Sequence, residues 1–162
     1  MDKPKFIPKP GQVDFTNIRY CPVINCVVQY GEKFLLVERS EKLRLYPKFW
    51  NGISGFLDDD MSREEKVMEE LREELGISEN DIVSIRFGEI FDQEAPEYKK
   101  TWIVHPVLVV IKTDSITLDQ EAQQYKWVKL EELKNYKLLP GFETVVEHVC
   151  TAYSHELENN EM

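Results

Sequence analysis

The stretch from Gly55 to Ile77, GFLDDDMSREEKVMEELREELGI, decides the fold. Ser62 is followed three residues later by Glu65, the capping-box pattern that opens a helix. Gly76 stands where a left-handed cap closes one. Between them, at about 100° per residue, Val67, Met68, Leu71 and Leu75 fall on one stripe, so the spacing predicts a helix over 62–75 with a core-facing side. The acidic residues gather elsewhere on the same helix. With Val67 set at zero, Glu69 lies at about 200°, Glu73 at about 240°, Glu70 at about 300° and Glu74 at about 340°. Glu70 and Glu74, four residues apart, bring their Cβ atoms to about 5–6 Å, a spacing at which like charges destabilise an isolated helix. A hard divalent cation held between carboxylate oxygens removes that repulsion. The bland alternative is a solvated acidic face balanced by salt bridges. Arg63 and Lys66 lie on the same side, and Lys66 is spaced to pair with Glu70.

Outward from this helix the chain alternates strand signals with turns. Residues 21–30 (CPVINCVVQY) and 33–39 (KFLLVER) flank Gly31-Glu32 and read as a hairpin. A short strand follows around 52–57, and longer ones are expected over 82–91 and 102–112, with DQEAPEYKK between them as a polar loop. Another short strand sits near 125–128, a short helix over 130–135, and a terminal helix from Phe142 to about Glu156. Pro4, Pro8, Pro10 and Gly11 keep residues 1–20 out of regular helix, as an extension that either straps onto the domain or frays. The expected organisation is an extension over 1–20, one domain over 21–156 and a flexible tail over 157–162. Mixed strands with one central and one terminal helix make it an α/β sandwich.

Composition narrows the function classes. With 162 residues, 42% hydrophobic and 31% charged, the chain suits one soluble domain. A net charge of -10 argues against a nucleic acid polymer as partner, because duplex backbones are held by clustered Lys and Arg. It leaves room for a small phosphorylated ligand that a metal ion bridges to an acidic site. No apolar run reaches the roughly 18 residues that span a bilayer, so no membrane role is expected. Cys21, Cys26 and Cys150 are odd in number and lack Cys-x-x-Cys spacing, so reduced thiols and a cytoplasmic location are expected.

The stretch 55–77 resembles the Nudix box, G-x5-E-x7-R-E-U-x-E-E-x-G-U with U a bulky aliphatic. Gly55, Glu70, Leu71, Glu73, Glu74, Gly76 and Ile77 match without a gap. Met61 stands where the box has Glu, and Glu69 where it has Arg. VINCVVQYGEKFLLVER is similar to the opening hairpin of Nudix domains, Phe49-Trp50-Asn51-Gly52 to the segment before the box, and Glu121-AQQYK-Trp127-VKLEEL to the late strand and following helix.

The resemblance implies an α/β/α sandwich around a mixed sheet, and Mg²⁺- or Mn²⁺-dependent hydrolysis of a nucleoside diphosphate linked to another group, such as a nucleotide or nucleotide sugar. It implies Glu70 and Glu74 as direct metal ligands, Glu73 as a ligand or as the residue that orients or deprotonates water, and the Gly55 carbonyl as a further ligand. Glu121 is the candidate extra catalytic or metal-binding carboxylate, with Glu94 or Glu97 as alternatives. Trp50 and Asn51 are candidates for stacking on and hydrogen-bonding a nucleobase. In the family the box Arg helps orient the metal-binding carboxylates, so the two departures leave three outcomes: support from Arg63 or Arg72, entry of Glu69 into the metal cluster, or a nucleotide-binding module with weak or no turnover. A Nudix-fold isoprenoid diphosphate isomerase is a lower alternative, because the Trp50–Gly55 stretch holds no cysteine suited to that chemistry. Relatives often form homodimers, but the sequence identifies no interface.

Overall fold

The long strand β1 (Tyr20–Tyr30) organises the molecule, because its side chains alternate between two apolar layers. Ile24, Cys26 and Val28 face one layer and Val27 the other. The structure, a computed structural model, describes residues 7–150. β1 turns through Gly31 into β2 (Lys33–Arg39). Next come the short β3 (Trp50–Asn51) and β4 (Ile53–Phe56), then helix α1 (Arg63–Leu75). β5 (Ile82–Phe87), β6 (Phe91–Ala95), β7 (Lys100–Ile111) and β8 (Ala122–Val128) follow, and helix α2 (Phe142–Val149) ends the described chain.

One mixed sheet carries all eight strands. Its main order is β3-β2-β1-β7-β5, with β4 also on β1, β6 also on β7 and β8 also on β2. Among the described strands, only β1 and β7 pair in parallel, from Tyr20 opposite Thr101 to Gln29 opposite Val110. α1 covers one face: Val67, Leu71 and Leu75 are fully buried against Ile24, Leu35 and Val109. α2 covers the other, packing Phe142, Val145, Val146 and Val149 over Val27, Leu36 and Val104. The expected α/β/α sandwich is therefore the observed one, held mainly by burial of these two apolar stripes.

Local chemistry sets the frame of α1. The Ser62 side chain accepts the Glu65 N–H, the Glu65 side chain accepts the Ser62 N–H, and Gly76 closes the helix in the left-handed conformation at φ 68°. Elsewhere the structure departs from the sequence reading. DQEAPEYKK is not a loop: Asp92–Ala95 belong to β6, which pairs with β7 from Phe91 opposite Val104 to Ala95 opposite Lys100. The polar residues hid an edge strand, in which half-buried and exposed side chains alternate along FDQEA. The strand expected over 82–91 ends at Phe87, and Gly88 turns the chain against α2, where a Cβ would lie 2.7 Å from the His148 carbonyl oxygen. Residues 130–135 form a 3₁₀ rather than an α-helix. The expected continuation of the last helix from 151 to 156 and the tail over 157–162 lie outside the described residues.

The extension is a strap over the part described. The buried Lys100 ammonium donates to the carbonyls of Phe15, Thr16 and Ile18, and the Thr101 N–H donates to the Arg19 carbonyl at 2.8 Å. Lys9, Pro10 and Gln12 of the same extension line a cavity of about 540 Å³. Among the described residues no helix is long and apolar enough to cross a membrane.

Candidate active site

The helix α1 presents Glu69, Glu70 and Glu73 to a cavity of about 540 Å³. Oxygens of Glu69, Glu70 and Glu73 lie within 4.8 Å of one another. Glu70 reaches this position across Gly55: a Cβ there would stand 2.7 Å from its Cδ and Oε1. The box glycine is thus required by close approach, because no other residue leaves the carboxylate its place. Glu74 is more deeply placed, beside Glu121, and its Oε2 is buried without a partner. Glu121, from the C-terminal half of the chain, lines the 540 Å³ cavity together with Glu69, Glu70 and Glu73.

The electrostatics of this group are strained. Burial, then the charge of Glu73, pushes the Glu70 carboxyl up to about 7. Burial, then Glu121 beside it and the Glu70 charge, holds Glu74 far above the usual carboxylate range. A bound cation would relieve the repulsion among carboxylates gathered this closely. The donor set of Glu69, Glu70 and Glu73 is all oxygen and suits a hard divalent ion such as Mg²⁺ or Mn²⁺; Glu74, with its orphaned buried oxygen, stands outside that group.

The basic residues go elsewhere than expected. Lys66, spaced to pair with Glu70, places its ammonium 2.8 Å from Asp59 Oδ2 and 3.6 Å from Asp58 Oδ1. Asp58 is buried and also accepts the Gln12 amide at 2.7 Å. Arg63 lies on the Phe87 ring at 4.0 Å and meets His105 Nδ1 at 3.2 Å. Burial, then Arg63, pulls the His105 imidazole down. Glu94, the alternative to Glu121, is held by Arg19 and Thr101 instead.

The opposite wall of the cavity is apolar and aromatic. Phe56 and Trp102 meet edge to face at 6.0 Å, and the Trp102 indole N–H donates to the Tyr46 hydroxyl at 3.0 Å. The structure places neither Trp50 nor Asn51 on the cavity wall. Trp50 is buried in the core against the Tyr136 ring at 5.1 Å. Asn51 is 1% exposed and accepts the Asn25 amide at 3.1 Å while its own amide reaches Ser54 Oγ at 3.4 Å. The polar group facing this wall is Asn25, whose Oδ1 is buried without a partner. Its signal in the sequence was one amide within the otherwise apolar run VINCVV.

Arg39 was also missed. It lies on the cavity wall at the end of β2, its Nε and Nη2 donating to the Leu45 carbonyl at 3.1 and 3.0 Å. Burial pulls its guanidinium down, opposed by the charges of Glu121 and Glu74. An arginine ending a strand carries no signal of its own in a single sequence. All three cysteines are free and buried, as expected.

Comparison with known proteins agrees with this architecture. A search of curated proteins finds no match. Among solved structures, the MutT protein of Methanosarcina mazei Go1 is 23% identical, with a TM-score of 0.68 over 88% of this chain and 98% of that one. The Nudix domain of Shewanella oneidensis NrtR, solved with ADP ribose, is 17% identical, with a TM-score of 0.67 over 84% and 87%. A bifunctional NMN adenylyltransferase/ADP ribose pyrophosphatase of Francisella tularensis, complexed with AMP and a Mn ion, is 21% identical, with a TM-score of 0.64 over 86% of this chain and 42% of that one. At these identities the likeness is one of fold. The Nudix domain profile matches residues 19–149, from the strap's anchor at Arg19 to the last residue of α2, and by that match the chain belongs to the Nudix family.

Proposed function

We propose that this protein hydrolyses a nucleoside diphosphate linked to another group, using Mg²⁺ or Mn²⁺. The observation that carries the reading is the grouping of Glu69, Glu70 and Glu73 within 4.8 Å on one wall of a cavity whose other wall is aromatic. A diphosphate fits the first wall through a cation and a flat heteroaromatic base fits the second. Gly55, Glu70, Glu73 and Glu74 are the proposed ligands, joined by Glu69. The ion supplies charge neutralisation at the phosphoryl oxygens and a lowered pKa for water in its shell.

The protein's own groups do the rest. Water attacks phosphorus, the bridging P–O bond breaks, and the water's proton passes to a carboxylate; Glu73, the exposed member of the group, and Glu121 are the two candidates. Arg39 offers the cavity a half-buried cation for the diphosphate. The unpartnered Asn25 Oδ1 suits an N–H donor on the base edge, and leaving it unpaired costs about 1–3 kcal/mol. The neighbours solved with ADP ribose and with AMP and Mn support this class of ligand.

The test is turnover of a panel of nucleoside triphosphates, nucleotide sugars, dinucleotides and ADP-ribose with Mg²⁺ or Mn²⁺. Hydrolysis that Glu73→Gln or Glu74→Gln abolishes supports the reading, and no hydrolysis of any member refutes it. The second reading, a binding module, is favoured by Glu69, which adds a negative charge to the group where the box has a positive one. Ligand-dependent thermal stabilisation without turnover supports that reading instead.

A further inference from the structure

Gly55 and Glu70 belong to different elements, and a buried ion pair governs the gap between them. Lys66 lies one helical turn before Glu70, with its side chain 5% exposed. Its ammonium is 2.8 Å from Asp59 Oδ2 and 3.6 Å from Asp58 Oδ1. Both aspartates stand in the loop that leaves β4, the strand that carries Gly55. Asp58 is itself clamped: the Gln12 amide donates to Oδ2 at 2.7 Å, and the Val13 N–H donates to its carbonyl at 2.6 Å. Strap, loop and helix therefore meet at one buried cation. The helix cannot roll or slide along the loop without drawing that ammonium away from both carboxylates, which leaves buried charges uncompensated.

The two departures from the box do not supply this link. Met61 is 40% exposed, and Glu69 stands with Glu70 and Glu73. Arg63 is engaged with His105 and Phe87, and Arg72 is exposed.

We propose that Lys66, through Asp59 and Asp58, is the positioning residue that holds the α1 carboxylates at the distance from Gly55 that a divalent cation requires. This rests on the metal-dependent reading above. The sign of the effect separates position from charge. As a charge, an ammonium beside Glu70 repels a cation, so its removal tightens metal binding. As a positioner it preorganises the ligands, so its removal loosens metal binding. Loss of partners that orient metal ligands typically weakens affinity by about 10–100-fold.

The experiment is calorimetric titration of the full chain with Mn²⁺, without nucleotide, well below the melting temperature. Wild type is compared with Lys66→Met and with the double variant Lys66→Met/Asp59→Asn. The double variant leaves the net charge unchanged and removes both members of the shorter pair, while Asp58 keeps the Gln12 amide, so the fold stays testable if the single variant fails to fold. We expect Mn²⁺ affinity at least about tenfold below wild type in both. Affinity equal to or tighter than wild type in either folded variant overturns the proposal while leaving the metal site standing. Absence of Mn²⁺ binding by the wild type overturns the metal reading and this one with it.

Discussion

Replacing Gly55 by alanine tests the site at its tightest point. The added Cβ meets Glu70 Cδ and Oε1 at 2.7 Å and Cγ at 2.9 Å, where ordinary contact begins at 3.4 Å. The Glu70 carboxylate must therefore retreat by about 0.7 Å, the difference between 3.4 and 2.7 Å. Glu70 is the far end of a flexible side chain on α1, and Gly55 has no left-handed φ, so the backbone is not forced to move. The fold absorbs the change: a few tenths gained from reduced unfolded-state freedom and a modest packing penalty leave stability within about 1 kcal/mol of wild type. The site does not absorb it. A misplacement approaching 1 Å costs on the order of 100-fold in rate, and metal and catalytic groups need placement within about 0.5 Å. Gly55→Ala is expected to melt within a few degrees of wild type while losing about 10–100-fold in Mn²⁺ affinity and in turnover. Thermal denaturation, Mn²⁺ calorimetry and phosphate-release kinetics read the three quantities. Wild-type affinity and turnover in the folded variant would refute the placement of Glu70 over Gly55 as part of the working site.

Other outcomes follow from the same contacts. Glu70, raised from 4.5 to about 7, binds more protons folded than unfolded across that interval, and Glu74 acts in the same direction, so metal-free stability should fall as pH rises from about 4.5 through 7. Urea melts in chelator at pH 5, 6, 7 and 8 should show this, saturating Mg²⁺ and the Glu70→Gln/Glu74→Gln variant should both flatten it, and a metal-free curve rising with pH would contradict it. Wild type should prefer a purine nucleoside diphosphate bearing a 6-amino group over one lacking it by about tenfold, and Asn25→Leu should erase the preference; equal discrimination by both proteins would remove Asn25 from recognition. Lys100→Met should cost on the order of 2 kcal/mol in chemical denaturation and open residues 13–19 to proteolysis, because the ammonium binds three strap carbonyls; an unchanged midpoint would show that the strap docks without it.

The fold was largely legible because its signals are local. A capping box, a terminal glycine and a 3.6-residue stripe set α1, and Gly31 set the first hairpin. β6 was illegible because FDQEA is polar on its exposed side and becomes a strand only by pairing with β7. The candidate site was legible in its carboxylates and Gly55, which share one short stretch and a recognisable spacing. Arg39, Asn25 and the Lys66 pairing were not, because each gains its meaning from residues far along the chain or from a choice among several nearby carboxylates.

Sequence alone determined that an acidic helix follows a glycine at the end of a strand, and that its apolar stripe must be covered. Those are matters of periodicity and capping, settled within a few residues. Tertiary structure alone decided that Lys66 turns to the loop rather than to Glu70, that Trp50 is buried while Trp102 walls the cavity, and that Glu121 arrives beside Glu74. The physical reason is that burial and electrostatic pairing depend on what packs opposite, and that partner is set by the sheet's crossing order rather than by any neighbour in the chain.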